Sequence, residues 1–64
     1  MSKQADLMMK IMTYGIPEEI QDIIGDKLNE YKLTEKSEEV AAKIIDIIDE
    51  PGDVADIIEK IKRI

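Results

Sequence analysis

Carboxylates are the most abundant chemically active groups in this chain. Fifteen Asp and Glu side chains outnumber nine Lys and Arg, and the 64 residues include no His and no Cys. Carboxylates can ligate hard cations, pair as acid and base, or attract a cationic partner, and each use demands its own spacing. Asp46, Asp49, Glu50 and Asp53, grouped around Pro51-Gly52, form the best candidate for a hard cation, which needs several oxygens converging on a turn. The spacing is not that of an EF-hand loop, where acids alternate ahead of a glycine. Asp53 also reads as a helix cap, and Asp46 and Asp49 as members of a solvated face. No metal site is expected, and sensing through Asp49 and Asp53 would require a calcium-dependent melting shift.

Acid–base catalysis by paired carboxylates needs a cleft that raises one pKa above the other. Glu18-Glu19 and Glu38-Glu39 are adjacent at helix starts, where the positive end of the helix dipole favours both charges. Ser2, Thr13, Thr34 and Ser37 supply hydroxyls, but no histidine exists to activate them. Lys36 and Ser37 are neighbours in sequence and would not face each other on a helix. The glycines at 15, 25 and 52 are isolated, so no glycine-rich phosphate loop is present. These residues predict no catalytic group, no cofactor and no enzyme.

Charge narrows the partners. Residues 17–53 hold twelve acids against four lysines, within a net charge of −6. Such a middle repels phosphate backbones and lacks the basic stripe of nucleic-acid binders. Direct nucleic-acid binding is not expected. No apolar run approaches the roughly 18 residues of a membrane span, and Met1 to Asp6 makes a poor signal peptide, so a cytoplasmic protein without membrane attachment is expected.

The elements that must position these groups are helices. The expected fold is all-α, one domain over residues 1–64, built as a compact bundle of four short helices. The first runs from about Lys3 to Tyr14 and stops at Gly15-Ile16-Pro17, a helix C-terminus followed by a favoured first-turn proline. The second extends from Pro17 to Tyr31 or Lys32, with Gly25 a point for a kink. The third starts at an N-cap, Thr34 or Ser37, and ends at Glu50 because Pro51-Gly52 cannot continue it. Asp53 caps the fourth, with Asp56 three residues on and Lys60, Lys62 and Arg63 in its last turns. Without cysteine, so small a domain has packing and association as its means of stabilisation.

Thirteen isoleucines mark the buried faces. Val54, Ile57, Ile58, Ile61 and Ile64 form an ordinary core stripe of roughly 120°. The second helix carries Lys27 inside its stripe. The apolar arc of the first is the widest, with Leu7, Met8, Met9, Ile11, Met12 and Tyr14 over more than half its circumference. Surplus apolar arc marks a contact surface, and methionine adapts to a partner's shape. Helices two to four are expected to form a tight unit, with the first packing across it or at an interface.

Two small-domain families invite comparison. Acyl carrier proteins are also small, acidic and four-helical, but their prosthetic group hangs on an Asp-Ser-Leu motif. The internal serine here lies in Glu35-Lys36-Ser37-Glu38-Glu39, without those flanking residues. Residues 38–45 and 52–58 look like the second and third helices of ubiquitin-associated domains, whose Met-Gly-aromatic loop is missing. Neither likeness rests on a motif.

The residues therefore predict a protein–protein interaction domain, with Leu7, Met8, Ile11, Met12 and Tyr14 as its partner-binding surface. The partner is a foreign protein or a second copy in a homodimer. The competing reading is an acidic inhibitor or DNA mimic that blocks a basic site on a nucleic-acid-handling protein. Glu18, Glu19, Asp22, Glu38, Glu39, Asp46 and Asp49 would then carry recognition, and salt would weaken it steeply.

Overall fold

The computed structural model describes residues 2–64. Four helices follow in order: α1 (Lys3–Tyr14), α2 (Glu18–Tyr31), α3 (Ser37–Asp49) and α4 (Val54–Lys62), and the described residues form no strand. The Cα radius of gyration is 10.7 Å, the value near 11 Å expected of a folded globule of this length.

Local chemistry sets each boundary. Ser2 caps α1, its Oγ accepting from the Ala5 N–H at 3.1 Å. Gly15 ends that helix at φ 61°, ψ 47°, a left-handed conformation that only glycine adopts without strain. The Gly15 and Ile16 N–H groups both turn back to the Ile11 carbonyl, so the chain reverses at once into Pro17 and α2. Gln21 fixes the corner by donating from Nε2 to the Ile16 carbonyl at 2.6 Å. Helix α2 runs unbroken through Gly25.

The start of α3 differs from expectation. Neither Thr34 nor Ser37 is its N-cap; Lys36 holds that position without a side-chain bond. Thr34 instead organises the preceding turn, donating from Oγ1 to the Tyr31 carbonyl and accepting from the Lys36 N–H. That turn already brings Lys36 to αR angles, which leaves Ser37 as the first helical residue. Helix α3 ends one residue before Glu50, which is extended at ψ 145° because a residue ahead of proline is driven out of the helical region. Asp53 caps α4, its Oδ1 accepting from the Asp56 N–H at 2.8 Å.

Helix α3 is the hub. Its residues Val40, Ala41, Ile44 and Ile45 are buried, α1 packs on one side of it, and α2 and α4 pack on it and on each other. Leu7, Ile20, Ile24 and Ile61 complete the core, each burial of such a side chain being worth about 1.5–3 kcal/mol. Val54, expected in the α4 stripe, is exposed in the first turn of that helix. Helices α2 to α4 contact one another, while α1 rests on α3.

Candidate functional site

Two apolar stripes run along α1. Leu7, Ile11 and Tyr14, at i, i+4 and i+7, lie on one face, whose first two residues pack into or against the core. Ala5, Met8, Met9 and Met12, at i, i+3, i+4 and i+7, lie on the opposite face and are all exposed. Met8, Met9 and Met12 are 57%, 57% and 80% exposed, and Tyr14 is 55% exposed. The broad apolar arc of this helix is thus a core stripe and an outer stripe back to back.

This division corrects the proposed contact set. Leu7 has no exposed surface, so it belongs to the interior and cannot touch a partner while the bundle is folded. Ile11 is half-buried against the same core. Met8, Met12 and Tyr14 remain accessible, and Met9, which was outside the expected set, joins them. Its signal was legible: Met9 stands at i+4 from Ala5 and i−3 from Met12, on the face away from Leu7.

Beside the outer stripe, α1 and α3 enclose an open groove of about 350 Å³, with Asp6, Met9 and Thr13 on the α1 wall and Ile45 on the α3 side. Lys3, Lys10 and Tyr14 also line it. Lys10 crosses from α1 to Asp49 of α3 at 3.3 Å and also donates to the Tyr14 hydroxyl at 3.2 Å. Its Nζ also lies 5.0 Å from the Tyr14 ring centroid, within cation–π range. The bonds to Tyr14 and then Asp49 hold the Lys10 pKa above the ordinary lysine value.

The acidic residues do not act as one set. Glu38 accepts from the Gln4 N–H in the first turn of α1, Asp49 pairs with Lys10, and Glu39 pairs with Lys43 at 3.6 Å. Glu18, Glu19, Asp22 and Asp46 are exposed, and among the described residues none of these four makes an ion pair. The carboxylates around Pro51-Gly52 are likewise divided. Asp49 goes to Lys10, Glu50 to Lys60 at 3.2 Å, and Asp53 to the α4 N-terminus. Among the described residues, no group of three or more His, Cys, Asp or Glu is placed to hold a metal ion. No described helix is long and apolar enough to cross a membrane.

Comparison with protein-family models, with curated proteins and with solved structures found no match.

Proposed function

We propose that this chain is a non-enzymatic protein-interaction domain that docks through the outer face of α1. The observation that carries this reading is the outer stripe itself. A helix on the surface of a globule normally turns charged residues to water. The outer arc of α1 turns Ala5, Met8, Met9 and Met12 there instead. Methionine is unbranched, with a polarisable thioether, and suits a surface that adapts to another protein. The core does not need these side chains, because Leu7 and Ile11 already supply the contacts of α1 with the bundle.

The acidic-mimic reading has less support, since Glu38, Glu39 and Asp49 are engaged within the molecule. Site-specific photo-cross-linking in the cells that make the protein tests the proposal. A photoreactive residue at position 12 should yield a discrete protein adduct, and one at position 22, on α2, should not. Adducts from position 22 alone would overturn the proposal in favour of the acidic surface.

A further inference from the structure

We propose that Met8, Met9 and Met12 form a reversible oxidation site, where hydrogen peroxide converts the thioethers to sulfoxides and disables the docking face without unfolding the bundle. The inference rests on the proposed docking role of α1 and adds its regulation.

The oxidisable groups of this chain are confined to one place. It holds no Cys, Trp or His, so methionine is its most readily oxidised side chain. Of the four methionines, Met1 lies outside the described residues, and the other three stand together on the outer stripe, each more than half exposed. The buried core is built from Leu, Ile, Val and Ala, which peroxide leaves unchanged. On α1 the two kinds of side chain are separated: Leu7 and Ile11 turn inward and the thioethers turn out. A core methionine disrupts packing when it is oxidised, whereas these three lie outside the packed core.

Peroxide alone balances the reaction at each sulfur. A thioether lone pair attacks one peroxide oxygen, the O–O bond breaks and an S–O bond forms. The proton of the attacked oxygen passes to the departing hydroxide, which leaves as water. Sulfur loses an electron pair and peroxide gains it. Sulfoxide reductases reverse the step with a dithiol, which becomes a disulfide as the oxygen leaves as water.

The product does not suit an apolar interface. A sulfoxide is polar and chiral, and burying one against a partner without a hydrogen-bond donor costs about tenfold in affinity or more. Oxidation at i, i+1 and i+4 leaves Ala5 as the one apolar residue of the stripe.

The test uses the full chain with a photoreactive residue in place of Ala5, on the same stripe, so that Met8, Met9 and Met12 all remain. The purified chain is left untreated, or treated with dilute hydrogen peroxide that is then removed. A third sample is treated and then repaired by the two sulfoxide reductases, one for each epimer, with dithiothreitol. Each is added to an extract of the producing cells and irradiated, so the partner never meets peroxide. Peptide mapping by mass spectrometry should place one added oxygen on each of Met8, Met9 and Met12. The melting temperature should move by no more than about 5 °C, as for changes at exposed sites. The discrete adduct should fall at least about tenfold on oxidation and return on repair.

Sulfoxides at these positions with an undiminished adduct would overturn the oxidation inference and leave α1 as the docking face. Loss of helical circular dichroism on oxidation would overturn it too, since the stripe would then belong to the fold. The same holds if the three methionines stay reduced while free methionine in the same solution is oxidised. An adduct that fails to return once the sulfurs are restored would place the damage elsewhere and overturn it as well. No adduct from the untreated chain would overturn the docking role itself, and its regulation with it.

Discussion

The backbone N–H of Gln4, in the first turn of α1, donates to the Glu38 carboxylate in the first turn of α3 at 3.2 Å. The N-terminus of α1 therefore has two acceptors, the local Ser2 hydroxyl and a carboxylate from the helix on which α1 packs. A negative charge there satisfies an orphan N–H and complements the helix dipole at once. Glu38 is a structural residue as well as a surface one.

Glu38→Lys should consequently lower stability by about 1–2 kcal/mol, by removing the acceptor and setting a cation at the positive end of α1. Glu39→Lys, which breaks only the exposed pair with Lys43, should stay within about 0.5 kcal/mol. Urea unfolding of the two variants makes the comparison. Equal losses would show that the contact with Gln4 contributes nothing.

The two stripes of α1 should respond oppositely to truncation. Leu7 is the one fully buried residue of that helix, so Leu7→Ala should cost about 2–5 kcal/mol through lost burial and the cavity left behind. Met12→Ala, at an exposed site with no core contact, should fall within about 0.5 kcal/mol. Denaturant midpoints decide this. A large loss for Met12→Ala would place the outer stripe in the fold and remove the ground for a docking surface.

The difference between those stripes shows where sequence reading reached and where it stopped. Helix number, order and most boundaries follow from local rules, such as Gly15 ahead of Pro17 and Asp53 ahead of Val54. The breadth of the α1 arc was visible too, but not its division, because that depends on which side α3 covers. Lys27 shows the same limit. Its position inside the α2 stripe and its i+3 neighbour Glu30, 3.7 Å away in the fold, were legible, whereas its contact with α4 was not. In the fold its stem is largely buried and its Nζ reaches the Lys62 carbonyl at the end of α4, 3.3 Å away. A long side chain can bury its methylenes and carry its charge to a helix terminus, and only packing brings that terminus within reach. The Ser2 cap is also a local signal, a hydroxyl residue directly ahead of the first helical turn.

Two glycines should respond oppositely to one substitution. A Cβ added at Gly15 or at Gly25 would meet no atom within 4 Å, so steric room does not distinguish them. Backbone does. Gly15→Ala forces a side chain into the left-handed region at φ 61° and should cost about 1 kcal/mol. Gly25→Ala lies inside α2 and should gain about 0.5–1 kcal/mol from helix propensity and a less flexible unfolded chain. Thermal melting reads both signs, and a stabilising Gly15→Ala would contradict the αL cap.

Alkaline pH should loosen the fold through two lysines. Lys10 is held above its ordinary pKa by Tyr14 and then Asp49, and Lys60 by its hydrogen bond to Glu50 and the nearby Asp56 charge. A group whose pKa is higher folded than unfolded stabilises the fold fully while pH stays below the unfolded value, near about 10.4 for lysine. That contribution disappears as pH climbs through the raised folded value. Replacing Lys10 and Lys60 together by Gln removes it at every pH. The melting temperatures of wild type and double variant should therefore differ by a constant amount from neutral pH to about 9.5, then converge above about 10.5. A gap that persists unchanged through that range would mean that these lysines act through their methylene stems and not through their charge.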